Sequence, residues 1–278
     1  MTAPDRTSAP AIEFDGVTFT YAGGTRALDG LDLRIEPGET VAIVGQNGSG
    51  KSTLVKHLNG LLRPDSGRVL LDGRDVRPVH AARLAALAGL AFQNPDRQLF
   101  AGNVRSEVEF GPRNLGVRGR DLDARVGAAL EAVGLAGELE TNAYDMGYSR
   151  RKLLAIASVL AMRTPILILD EPTTGQDARG VALVGGLVEA AAAEGRTVIA
   201  VSHDMRFAAE RFGRVVVMRA GRVVVDGTPA EVFAEKRWPE LRAANLEPPL
   251  PAVAGARLGL GSTPTDAALV AAVRARNR

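Results

Sequence analysis

Eight consecutive residues, Gly45-Gln46-Asn47-Gly48-Ser49-Gly50-Lys51-Ser52, limit what this chain can fold into more than any other feature. They match the pattern G-x-x-x-x-G-K-[ST] without a gap. Before them lies Thr40 to Val44, a continuous apolar run of strand length, and after them a helical stretch from Ser52 to about Leu62. Glycines at these places let backbone N–H groups turn inward around phosphate oxygens. The following helix adds its N-terminal dipole and its unpaired donors. In such a loop Lys51 reaches the terminal phosphates and the Ser52 hydroxyl binds Mg²⁺.

A second apolar run, Ile166-Leu167-Ile168-Leu169, ends in two carboxylates, Asp170 and Glu171. With the phosphate loop upstream, Asp170 is expected to hold Mg²⁺ through water and Glu171 to polarise the water that attacks a terminal phosphate. Thr197 to Val201 is another fully apolar run. Short runs of this kind suit a parallel sheet buried on both faces.

Composition narrows the alternatives. Apolar residues make up 46% of the 278, which supports a sizeable core. The 34 basic and 32 acidic residues nearly cancel, and no block of like charge forms a nucleic-acid-binding arm. With no cysteine there is neither a disulfide framework nor a thiolate metal site. Residues 1–10 are polar, lack the apolar stretch of a signal peptide and read as a disordered leader. No uninterrupted apolar run is long enough to span a bilayer, so work at a membrane requires attachment to another chain.

Elsewhere the pattern is mixed. Ile12-Glu13-Phe14, Val17-Thr18-Phe19 and Leu31 to Ile35 alternate apolar and polar, as antiparallel strands do. Arg68 to Leu71 predicts a strand, and Val215 to Val217 with Arg222 to Val225 predicts a strand pair around Ala220-Gly221. Helical spacing covers Asp121 to Val133 and Lys152 to Met162. After Glu247 the prolines 248, 249 and 251 and a glycine-rich stretch read as a linker, followed by one marginal helix from Asp266 to Val273.

Taken in order, these residues resemble the ATP-binding cassette (ABC) ATPases over roughly residues 12–235. The resemblance implies an α/β fold: a P-loop nucleotide-binding domain with a mixed sheet, an antiparallel β subdomain and a helical subdomain at about 94–162. The ATPase domain would cover 11–235 and a C-terminal extension 236–278. It further implies that Gly45 to Thr53 bind ATP and that Tyr21 stacks on adenine. Gln93, in Ala91-Phe92-Gln93-Asn94-Pro95, looks like the glutamine-loop residue that senses metal and attacking water, and its loop would touch the membrane partner. Thr174-Gly175-Gln176-Asp177 resembles the loop that crosses to the opposite subunit, and His203 the switch histidine that grips the terminal phosphate. Phe92 to Gln98 followed by Phe110 to Gly116 is similar to the ATPase subunits of energy-coupling factor (ECF) transporters, which import vitamins or transition-metal ions. That likeness implies a transmembrane coupling protein, a second ATPase and a substrate-binding membrane protein as partners, at the cytoplasmic face of the membrane.

One segment departs from the family pattern. The signature, usually Leu-Ser-Gly-Gly-Gln, falls in register on Met146, Gly147, Tyr148, Ser149 and Arg150. Sliding it by two to use Ser149 as the signature serine rotates the helix by roughly 200°. In register, Gly147 lacks a hydroxyl and Tyr148 brings bulk where glycine is expected. Ser149 is left to donate a hydrogen bond or cap the helix, and Arg150, Arg151 or Lys152 to compensate with charge. The chain's own half-site is thus complete, while its contribution to the opposite site is impaired. A heterodimer with a signature-intact ATPase follows as the expectation. The alternative is a non-transport or regulatory ABC ATPase.

Overall fold

The computed structural model describes residues 9–277, so most of the expected leader, residues 1–8, lies outside the described residues. Two compact units form within it, one from residues 9–84 and 203–277, the other from residues 85–202.

The first unit opens with an antiparallel sheet. β1 (Ile12–Thr20) pairs with β2 (Arg26–Ile35), placing Ile12 opposite Ile35 and Phe19 opposite Leu28. The two short alternating segments seen in the sequence are therefore one strand, with a register shift between Phe14 and Val17. Gly16, at φ +58°, sits in that irregularity, where a side chain would strain the backbone. β3 (Thr40–Val44) is buried along Val41–Val44 and leads through the phosphate loop into α1 (Lys51–Leu58). The helix ends four residues before the expected Leu62, because Gly60 takes a left-handed φ of +73° just beyond it. β4 (Ser66–Leu71) pairs with the other edge of β1, and β5 (Arg74–Asp75) pairs with β4. α2 (Ala81–Leu87) then leads out of the unit.

His57, on α1, is fully buried, with Nδ1 2.7 Å from the Thr53 carbonyl and its ring edge-on to Phe19. Burial holds its pKa below the usual histidine value. Between that lowered value and about 6.5, the unfolded chain carries a proton the folded chain lacks, so stability falls as pH drops through the window. Substituting His57→Phe keeps an aromatic ring beside Phe19 and removes the titration. Its thermal midpoint should therefore fall less than that of the native chain between pH 7 and 5.5. Equal losses in the two proteins would contradict the assignment.

The second unit is built on three parallel strands, β6 (Ala88–Ala91), β7 (Ile166–Asp170) and β8 (Thr197–Ser202). Leu169 lies between Ala91 and Ala200, and β7 and β8 are buried throughout, as their apolar runs require. Between β6 and β7 stand α3 (Val104–Asn114), α4 (Gly119–Ala132) and α5 (Tyr148–Leu160). The first of these was not legible as a helix, since Gly111 and Pro112 read as loop residues. It forms because the Asn103 side chain accepts the Ser106 N–H as N-cap, Val104 and Val108 are fully buried, and Pro112 falls in the last turn. α6 (Ala178–Ala193), capped by Asp177, is the crossover from β7 to β8.

The chain then returns to the first unit. α7 (Met205–Arg211) precedes β9 (Arg214–Arg219), which is parallel to β3 and antiparallel to β10 (Arg222–Gly227). The turn residues Ala220 and Gly221 both have positive φ, as a tight hairpin demands. The remaining chain carries α8 (Pro229–Val232), α9 (Trp238–Ala243), α10 (Leu250–Arg257) and α11 (Asp266–Arg276). The expected single marginal helix is present as α11. The expected linker before it instead contains a helix, α10, because Pro251 occupies the first helical turn, where a missing N–H costs nothing. Among the described residues no helix is long and apolar enough to cross a membrane.

Candidate active site

In the first unit the structure brings the phosphate loop, Tyr21 and Thr53 together. The loop is tightly braced. A Cβ at Gly45 would lie 2.5 Å from the Met218 carbonyl and from Ser49 Oγ, and one at Gly50 would lie 2.5 Å from the Ala27 carbonyl. Gly50 also has φ +105°, so only glycine fits there without strain. The β9–β10 turn supports the loop from behind, since Gly221 N–H donates to the Ser49 carbonyl at 3.0 Å. Lys51 is buried, and its Nζ donates to the Gly45 carbonyl at 2.6 Å and to the Gln46 carbonyl at 2.9 Å. Gln46, Asn47 and Gly48 are exposed at the loop tip, and Ser52 is exposed at the start of α1. No side chain caps α1, as suits a helix N-terminus that receives an anion.

These residues fit a triphosphate. Ser49 Oγ is buried with no hydrogen-bond partner among the described residues, an arrangement that a phosphate oxygen would satisfy. Tyr21 follows β1, is 37% exposed, meets Phe19 edge-on at 5.0 Å and shares a 3.1 Å hydrogen bond with the Thr53 hydroxyl. His203 follows β8 directly, is exposed, and precedes Asp204, which caps α7 by accepting the Phe207 N–H.

In the second unit Asp170 and Glu171 end β7 and are 8% and 6% exposed. Glu171 has φ +50°, a left-handed conformation that costs a non-glycine residue roughly 1–3 kcal/mol. Its N–H donates to the Val201 carbonyl at 2.8 Å, and the Thr174 hydroxyl donates to its Oε2 at 3.4 Å. Gln93 is exposed just beyond β6, and its carbonyl accepts from Lys152 Nζ. Within this unit the Asp170 carboxylate and the Gln93 amide are hard oxygen donors of the kind that suit Mg²⁺, which keeps several waters and takes phosphate oxygens.

Sequence reasoning offers Lys152 as a compensating charge beside the signature and does not foresee its burial. It is 1% exposed, and its Nζ also lies 3.3 Å from the Asp170 carbonyl. Burial pushes its pKa down to about 8, while Asp170 and Glu171 pull it up. The missed signal was positional: Lys152 shares a helix face with the buried Ala155, Ile156 and Val159.

The divergent signature segment is engaged within its own unit. Gly147 is the N-cap of α5, so Ser149 does not cap. Its Oγ donates to Gln176 Oε1 at 2.8 Å, and Gln176 Nε2 donates to the Ser149 carbonyl at 3.0 Å. The Tyr148 ring lies against Gly175, where a Cβ would come within 2.6 Å of a ring carbon. Arg150 pairs with Glu138, and Arg151 with Asp96 and the Met146 carbonyl. The two arginines are thus spent on contacts in their own chain.

Comparison with known proteins agrees with this geometry. The family model described as ABC transporter matches residues 28–174, more than half of the chain. The chain is 43% identical over 245 residues to the energy-coupling factor transporter ATP-binding protein EcfA2 of Symbiobacterium thermophilum, covering 86% of this chain and 84% of that protein. It is 42% identical over 247 residues to an ABC transporter ATP-binding protein of Methanosarcina acetivorans, covering 89% of this chain but only 40% of that longer protein. Among solved structures, cbiO1 from Clostridium perfringens, part of the ABC transporter complex cbiONQ, superposes with a TM-score of 0.74 at 37% identity, covering 88% of this chain and 97% of that one.

Proposed function

The chain belongs to the ABC transporter family and is an ATP-binding, ATP-hydrolysing subunit, and we propose that it powers an importer of the energy-coupling factor type, taking up a vitamin or a transition-metal ion. The observation that carries the finer reading is the similarity to EcfA2 and cbiO1 across nearly the whole chain, joined to a phosphate loop and an acidic strand end that are both intact. The proposed division is an ATPase domain at 11–235, its helical subdomain at about 94–162, and an extension at 236–278.

In this reading the N–H groups of Gly45 to Thr53 cradle the phosphates, Tyr21 stacks on adenine, and Lys51 neutralises terminal charge. Bound Mg²⁺, held by Ser52, Gln93 and Asp170, would draw charge from the phosphate oxygens. Glu171 accepts the proton of the attacking water, and His203 with Lys51 stabilises the spreading charge. Opening and closing of paired ATPases then moves a transmembrane partner at the cytoplasmic face. Phe100 and Phe110 support a docking place for that partner. They are 59% and 48% exposed and stack edge-on at 4.7 Å beside the glutamine loop. A substrate-binding membrane protein completes the assembly and sets selectivity.

Tyr148 and Gly147 also support pairing with a second, signature-intact ATPase, since two copies of this chain would build two impaired sites. The test is turnover by the purified chain. Alone it should hydrolyse ATP slowly. The double substitution Gly147→Ser with Tyr148→Gly should raise that rate several-fold. Full family-like turnover by the native chain alone, unchanged by the double substitution, would refute the pairing.

A further inference from the structure

The C-terminal extension reaches the phosphate loop. Asn245 follows α9 and has φ +53°. The Leu246 N–H donates to the Leu241 carbonyl and the Asn245 N–H to the Arg242 carbonyl, each at 2.9 Å, which closes the helix in the manner that favours glycine or asparagine at this place. That closure uses only backbone. The Asn245 side chain is left over, and its Nδ2 donates to Gln46 Oε1 in the phosphate loop.

The turn that presents Asn245 is anchored on both sides. Leu241, Ala244 and Leu246 around it are buried. Upstream, Trp238 Nε1 donates to the Phe233 carbonyl at 3.0 Å. Downstream, Ser262 Oγ donates to the Ala230 carbonyl, and Asp266 pairs with Arg206 of α7 at 2.7 Å. Gln46 is thereby gripped at two points, because its carbonyl accepts Lys51 Nζ and its amide oxygen accepts Asn245.

We infer that Asn245 is a positioning residue for the phosphate loop: its amide fixes Gln46 and so holds the loop in the form that receives the triphosphate. The inference rests on the reading of Gly45 to Ser52 as the ATP phosphate site. A loop ordered in advance loses less freedom on binding, so the contact acts on affinity. It does not act on the chemical step, because Asn245 touches none of the reacting groups.

Three full-length variants, Asn245→Gly, Gln46→Ala and the two combined, test this by calorimetric titration with MgATP, steady-state turnover and thermal melting. Glycine suits the end of α9, so Asn245→Gly should keep its melting midpoint. Its Kd and KM should rise about two- to tenfold, the span of a single neutral hydrogen bond, with kcat unchanged. The double variant should bind no more weakly than the weaker single one, since both remove one contact. A Kd for Asn245→Gly equal to that of the native chain, or strictly additive losses, would overturn the inference. Lys51→Met separates the two levels. If it binds MgATP like the native chain, the phosphate-site reading itself fails. If it loses binding while Asn245→Gly does not, only the role of Asn245 falls.

Discussion

Glu171→Gln lowers ATP turnover by about 10²–10⁴-fold, the worth of a positioned general base. Binding of MgATP stays near the native value, because the amide keeps the shape of the carboxylate but accepts no proton from the attacking water. The backbone stays in place too: the Glu171 N–H bond to Val201 and the left-handed φ do not depend on the charge. A strained residue held this firmly at the end of a buried strand is unusual unless its side chain must be aimed. Rapid-quench turnover and equilibrium binding on the same variant give both numbers. Unchanged turnover would remove Glu171 from the chemistry, and loss of binding with loss of fold would mark it as structural.

Lys51→Met weakens MgATP binding by about ten- to a hundredfold, the range expected when charged hydrogen bonds to phosphate are removed. Methionine retains most of the buried stem, so the loop keeps its packing. In the structure Nζ lies against the Gly45 and Gln46 carbonyls, which places the charge inside the loop. Calorimetric titration measures the loss, and a Kd within about twofold of native would contradict a charged contact of this kind.

The elements that carry the chemistry were legible because their signals are local. A glycine-rich octapeptide between an apolar run and a helix admits few geometries, and an apolar tetrapeptide ending in Asp-Glu reads as a buried strand with a polar tip. Where neighbours far along the chain decide, the sequence reading failed. α3 contains Gly111 and Pro112, both loop signals, yet Val104 and Val108 on its inner face are fully buried and outweigh them. α10 was masked by its prolines, which mark a helix start as readily as a linker. Lys152 read as a compensating charge at the signature because no local pattern reports that its Nζ ends on carbonyls of residues 93 and 170. The Asn245–Gln46 contact spans most of the chain and leaves no periodic trace at all.

The signature segment is the instructive case. By the family resemblance, Tyr148 and Ser149 fall at places where small residues are expected. The structure adds that both are occupied within their own unit, on Gly175 and Gln176. That cis engagement gives the divergence a physical content: these side chains hold the loop that follows Glu171.

The most direct test of the central claim is recovery of this chain from gently solubilised native membranes, with its companions identified by mass spectrometry. The account predicts a multi-spanning membrane protein and a second ATPase with an intact signature in the same complex. Recovery of the chain alone, or only with ribosomes, would contradict the transport assignment.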